Sequence, residues 1–129
     1  MAQRVKMPLI MIKVIVAGSR TFTDYSLLEQ KLDFYLQAYL LSGDLEIVSG
    51  KARGADTLGE QYAKERSLSL KQFPANWERF GRAAGYRRNE MMVSYATHCI
   101  CFWDGTSKGT AHAISLAKRQ GLVLRVVRY

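Results

Sequence analysis

The feature that most constrains this chain is a rhythm. Five short β-rich runs alternate with longer helical patterns, and three of the runs end in glycine-bearing loops. The run 11–18, MIKVIVAG, leads through AGSRTFTD into a helical stretch at 24–41. There Leu28, Leu32, Tyr35, Leu36 and Tyr39 recur at helical spacing, and Asp24 stands where an N-cap belongs. The run 45–50, LEIVSG, passes through SGKARGAD into 54–67, with Ala55, Leu58, Tyr62 and Ala63 as one stripe. A third run, 68–75, is ended by Pro74 and followed by a helical region at 81–96. The fourth, HCICFW at 98–103, enters WDGTSKGT and a helix at 108–120 that stops at Gly121. The run 122–129 closes the chain.

Alternation of this kind calls for right-handed crossovers and a parallel sheet covered on both faces. The expected fold is α/β: a three-layer Rossmann-like domain with a five-stranded parallel sheet in the order 3-2-1-4-5 and helices on both faces. At 129 residues the chain has the size of one such unit, assigned to 11–129. Residues 1–10 read as a loose leader, and Met1, Met7 and Met11 are all candidate starts. The leader resembles a signal peptide, but Pro8 and Lys13 interrupt its apolar run. No apolar run reaches transmembrane length, so a cytoplasmic protein with no membrane partner is expected. Cys99 and Cys101 read as small core residues of a reducing compartment. They are expected on opposite faces of their strand, paired neither with each other nor around a metal. No His, Cys, Asp and Glu set has metal-site spacing, so no metal is expected.

In such sheets ligands bind beyond the carboxyl ends of the strands, where the strand order reverses. All three glycine loops fall on that edge. Gly18 lets the backbone approach a ligand, Ser19 offers a hydroxyl, and Arg20 can meet an anion. Gly50 and Gly54 flank Lys51 and Arg53 at the start of a helix. Gly105, Thr106, Ser107, Lys108, Gly109 and Thr110 line the turn into the last helix. Unpaired N–H groups and the dipole make helix N-termini receptive to phosphate. Any one of these loops reads as a tight βα turn, whereas three at one edge read as a nucleotide cradle. Neither a Walker A motif nor G-x-G-x-x-G is present, which removes support for P-loop and dinucleotide chemistry of the standard kinds. The net charge of +8, from 19 Lys and Arg against 11 Asp and Glu, allows nucleic acid or a small anionic ligand. The cations recur singly beside the loops rather than in a run, which favours the small ligand.

The segment 76–92, NWERFGRAAGYRRNEMM, is the most unusual. Arg88 suits a fork onto phosphate or carboxylate, and Asn89 a sugar hydroxyl or base edge. The plain alternative is a solvated helix start with an Arg–Glu surface pair. Trp77 reads equally as a core anchor or a base-stacking lid. Asp104 either accepts ribose hydroxyls or caps its turn. Asp56 lies in the first turn of its helix, where the dipole favours it. His98 reads as structural, and His112 as a surface or packed residue that can also face the cradle. Tyr25, Tyr35 and Tyr39 offer aromatics for an interface, and a homodimer or higher homo-oligomer is expected.

VIVAGSRTFTD, IVSGKARGAD, PANWERFGRAAGYRRNEM and FWDGTSKGTAHAI together resemble the YspA/YpsA-related branch of the SLOG superfamily, across about residues 11–121. The resemblance implies a Rossmann-like fold and a pocket for a nucleotide or nucleotide-derived ligand. More distant members include the LOG phosphoribohydrolases, which split a base from a nucleoside monophosphate, and the DNA-processing protein DprA. LOG enzymes carry P-G-G-x-G-T-x-x-E, whose Glu serves the reaction, and an Arg-Lys pair on an earlier helix. Aligning Gly109 and Thr110 with the G-T puts Ala113 at the glutamate position, while Arg88 matches the arginine and Asn89 replaces the lysine. The branch often has Pro-Ile where this chain has Tyr86 and Arg87. Glycosidic cleavage through an oxocarbenium-like transition state normally uses a carboxylate.

The leading expectation is therefore binding of a nucleotide or ADP-ribose-like ligand, with no cofactor required, for sensing or sequestration. A phage-encoded protein that hides a signal would need only this. One alternative is a nucleotide N-glycosidase, with Arg88, Asp56, Glu90 and Asp104 as candidate catalytic residues. The other is single-stranded nucleic-acid binding, which the charge alone motivates.

Overall fold

The computed structural model describes residues 11–129, so the leader reading for 1–10 lies outside the described residues. Ile12–Gly18 forms strand β1, whose side chains alternate between two cores. Val14 and Val16 face one cluster, Ile15 and Ala17 the other. Helix α1, Tyr25–Ser42, starts where Asp24 accepts a bond from the Leu27 amide at 3.0 Å. It buries Leu28, Leu32 and Leu36, spaced one turn apart, each worth about 1.5–3 kcal/mol removed from water. Strand β2 (Leu45–Ser49), helix α2 (Ala55–Glu65) and strand β3 (Ser69–Gln72) follow. Next come helices α3 (Trp77–Phe80) and α4 (Ala84–Tyr95), strand β4 (His98–Trp103), helix α5 (Lys108–Gln120) and strand β5 (Val123–Arg128).

All strand pairs are parallel, and the sheet order is β3-β2-β1-β4-β5, as the alternation predicts. Helices α1 and α2 cover one face, with Tyr62 and the α1 leucines packed on Val14, Val16, Ile47 and Phe102. Helices α4 and α5 cover the other, with Met92, Val93, Ile114 and Ala117 packed on Ile15, Ala17 and Val48. The strands at both edges, β3 and β5, are largely exposed.

Four local expectations change. Residues two apart on a strand share a face, so Cys99 and Cys101 lie side by side, both buried and free, with Sγ atoms 3.5 Å apart. The third strand stops at Gln72, before the proline segment begins. The helical region expected at 81–96 starts earlier and in pieces. Asn76 caps α3 by accepting from the Arg79 amide at 3.0 Å, and a 3₁₀ turn at Gly81–Ala83 joins α3 to α4. The α1 tyrosines are not spare. Tyr25 donates to Glu65 at 2.9 Å, Tyr35 and Tyr39 pack against the core, and the exposed apolar residues of α1 are Phe34 and Leu41. His98 is half-buried, its Nδ1 2.8 Å from the Thr97 hydroxyl, in keeping with a structural role.

Candidate functional site

The strand order reverses between β1 and β4, whose register sets Gly18 beside Phe102. Here the loops are tied to one another through the main chain. The Ser19 amide donates to the Phe102 carbonyl at 3.0 Å, and the Ser19 hydroxyl accepts from the Asp104 amide at 3.1 Å. Gly54 has φ of +81°, a conformation that L side chains rarely adopt, and a Cβ there would stand 2.3 Å from the Ser19 carbonyl oxygen. The loops after β1, β2 and β4 thus form one piece.

A cleft of about 360 Å³ opens above them. Gly18, Ser19, Arg20 and Thr21 line it from the first loop, and Ala52 and Asp56 from the second. Arg88, Asn89 and Met92 reach it from α4, while Asp104, Ser107, Gly109, Thr110 and Ala113 close it from the β4–α5 side. Arg88 lies across Gly50: its Nη1 donates to the Gly50 carbonyl and its Nε to Asn89 Oδ1 at 2.9 Å. A Cβ on Gly50 would come within 2.7 Å of that Nη1, so this glycine makes the seat for the guanidinium. Asn89 Nδ2 in turn donates to the Gly109 carbonyl at 3.2 Å and lies 3.2 Å from His112 Nδ1. The arginine is thereby linked to the start of α5. His112 belongs to this support rather than to the cleft wall, with its ring tilted 55° against Tyr86 at a centroid distance of 4.4 Å.

The electrostatics favour an anion. Among the described residues neither Arg20 nor Arg88 has a carboxylate within 4.0 Å. Burial lowers the Arg88 pKa, and Asp56 opposes that shift. Asp56 is 3% exposed. Burial pushes its carboxyl up from 3.8 to about 6, against the pull of Arg88 and of the Ala52 and Gly50 amides. The α5 N-cap, Ser107, makes no side-chain cap bond, and the space around Gly109 is open. The first-turn amides of Lys108, Gly109 and Thr110 have no intrahelical acceptor. Asp104 does not serve them. Its Oδ1 accepts from the Thr106 and Ser107 amides at 2.9 and 2.8 Å, and those bonds hold its pKa low.

Two further recesses share Arg20 and Arg88 with the cleft. One of about 460 Å³ is bordered by Gly50, Lys51, Ala52, Arg53, Pro74, Ala75 and Trp77. The other, about 210 Å³, lies between Trp77, Arg82, Gly85, Tyr86, Asn89 and Gly109. Trp77 is 53% exposed and is no core anchor. Other predicted residues do different work. Lys51 pairs with Glu60 at 3.7 Å, Gly54 packs on Ser19, and Gly105 sits under the Arg128 guanidinium. Thr106 and Lys108 face solvent. Glu90 pairs with Arg87 at 3.8 Å and lines a separate groove with Lys71, Phe73, Met91 and Tyr95, away from the cleft. The surface Arg–Glu pair considered for this segment thus exists at Arg87, while Arg88 turns inward. Sequence reasoning does not assign Thr21, Ala52 and Met92 to the cleft, or Pro74, Ala75 and Gly85 to the recesses. Met92 had a signal, since it stands one helical turn after Arg88 and shares its face. Among the described residues no group of three or more His, Cys, Asp and Glu is placed to hold a metal ion. None of their helices is long and apolar enough to cross a membrane.

A model of the YspA, cpYpsA-related SLOG family matches residues 12–80, which include the first two glycine loops and Trp77. The chain belongs to that family. This SLOG protein is also 31% identical to the Gene 61 protein of Mycobacterium phage D29 over 118 residues, covering 85% of this chain and 91% of that relative. Its fold is similar to that of the DNA processing protein DprA from Streptococcus pneumoniae, with a TM-score of 0.67 at 19% identity. That match covers 92% of this chain and 50% of the DprA chain. DprA from Helicobacter pylori, which binds single-stranded DNA, superposes with a TM-score of 0.62 at 19% identity, covering 90% and 65% of the two chains. The SLOG chain therefore spans half to two thirds of these DprA chains, and at this identity the likeness is one of fold.

Proposed function

We propose that this SLOG protein binds a nucleotide or nucleotide-derived, phosphate-bearing small molecule in the switch-point cleft, for sensing or sequestration, and leaves it intact. The observation that carries the reading is the convergence on one cleft of Arg20, Arg88 and the open first turn of α5. A phosphate seated there takes a charge-assisted fork from Arg88 and backbone donors from α5, each stronger than its neutral counterpart. The carboxylates give little help to bond cleavage. Ala113 puts a methyl group in the cleft wall, Glu90 lies outside it, and Asp104 is spent on backbone amides. Asp56 faces the cleft but is engaged by two backbone amides.

Calorimetric titration with nucleoside mono- and diphosphates, cyclic nucleotides and ADP-ribose tests the reading. At least one should bind with one site per chain, and Arg88→Ala should weaken it about 100-fold, for the loss of a charged hydrogen-bonded partner worth about 3 kcal/mol. No binding across the set would refute it. Release of free base on chromatography would convert the binder into a hydrolase acting through Asp56.

A second reading, single-stranded nucleic acid on the same edge, is favoured by the +8 charge and by the DprA-like fold. It requires affinity that falls steeply with added salt, whereas a single phosphate contact gives a shallow slope.

A further inference from the structure

We infer that the recess beside the phosphate cleft takes an aromatic base stacked on Trp77, so that the ligand is a nucleotide read through its base rather than a bare sugar phosphate. This rests on the phosphate reading above and adds a second contact to it. Trp77 opens α3, fixed in place by the Asn76 cap, yet 53% of its surface is exposed. Among the described residues no aromatic ring stacks on it, no cation lies over it, and its indole N–H has no protein acceptor. An indole left with a free face beside a charged cleft is an unusual use of a large apolar ring.

Its surroundings fit one occupant. Ala52, Pro74 and Ala75 give the recess an apolar wall, the cations Lys51 and Arg53 also line it, and its volume of about 460 Å³ lies in the ordinary range for small-molecule sites. Arg20 and Arg88 line this recess and the phosphate cleft alike. A group joined to a phosphate held on those arginines therefore has the Trp77 recess as its next space. A planar base meets the indole face, and its sugar spans the shared arginine wall. Stacking of a base on an aromatic side chain contributes about ten- to hundredfold in affinity.

The test compares the four ribonucleoside 5′-monophosphates with ribose 5-phosphate by calorimetry, on the wild type, Trp77→Ala and Trp77→Phe. At least one monophosphate should bind about tenfold or more tightly than ribose 5-phosphate. Trp77→Ala should erase that preference while leaving ribose 5-phosphate affinity unchanged, and Trp77→Phe should keep most of it. Unchanged ribose 5-phosphate binding in the alanine variant shows that it is folded. Equal wild-type affinities for the sugar phosphate and every monophosphate, or a preference that survives Trp77→Ala, would overturn the base subsite and leave the phosphate cleft standing. Failure of every compound to bind the wild type would also overturn the base subsite, while the phosphate reading stands or falls on the wider titration with diphosphates, cyclic nucleotides and ADP-ribose.

Discussion

Asp56 is a carboxyl that the fold holds against its own ionisation, and Asp56→Asn turns that into a measurement. Burial raises its pKa from 3.8 to about 6, and Arg88 with two backbone amides only partly offsets the shift. Between those two pH values the folded chain keeps a proton that the unfolded chain has released. Stability therefore falls as pH rises through this window and is constant above it. At about 1.4 kcal/mol per pH unit, the loss across the window is about 3 kcal/mol. The neutral amide keeps an oxygen for the Gly50 amide and has nothing to titrate. Denaturant unfolding of wild type and Asp56→Asn should therefore agree near pH 4, diverge toward pH 6 with the variant more stable, and stay about 3 kcal/mol apart at pH 7 and 8. The variant should also bind a simple anion such as sulfate more tightly at pH 7, because Arg88 then faces no carboxylate. A stability gap that does not change with pH would show that Asp56 ionises normally and that its burial costs nothing.

Two glycines separate shape from recognition. Gly50→Ala places a methyl against the Arg88 guanidinium, and calorimetry should show nucleotide affinity falling about as far as in Arg88→Ala, with the unfolding midpoint moved by less than about 1 kcal/mol. Gly54→Ala forces a side chain into a left-handed conformation and onto the Ser19 carbonyl, and should cost about 2 kcal/mol or more in denaturant unfolding.

What the sequence could disclose divides along physical lines. Strand order follows from alternation and crossover handedness, which are written locally, and the Asp24 cap is a three-residue signal. The inward turn of Arg88 is a matter of helical phase. Arg88 with Met92, and Asn89 with Val93, fall on the packed face, while Arg87 and Met91 fall outside. Other features depend on neighbours far along the chain. Lys51 is drawn to Glu60 in the second turn of α2, and Gly18, at the cleft, also lies close against the Phe102 backbone, with a Cβ there 2.2 Å from the Phe102 carbonyl oxygen. No spacing rule reports either. The break between α3 and α4 is hard to read because the polar segment carries no clear period, although Asn76 followed by Glu78 is a cap signal of the ordinary kind.

The loops at the switch point are joined by contacts in which the main chain takes part: Ser19 to Phe102, Asp104 to Ser19, and Gly54 against Ser19. The side chains of Arg20 and Trp77, which border the cleft and its recesses, carry none of those joints, although the Arg20 backbone packs on Gly54. Under the binding reading proposed above, the side chains at 20 and 77 would bear on ligand preference without bearing on how the loops are joined. Among the described residues no side-chain hydrogen bond of Arg20 or Trp77 holds the scaffold, so exchanges at 20 or 77 should leave the unfolding midpoint nearly unchanged. A cleft fastened in this way keeps its shape apart from the side chains that border it.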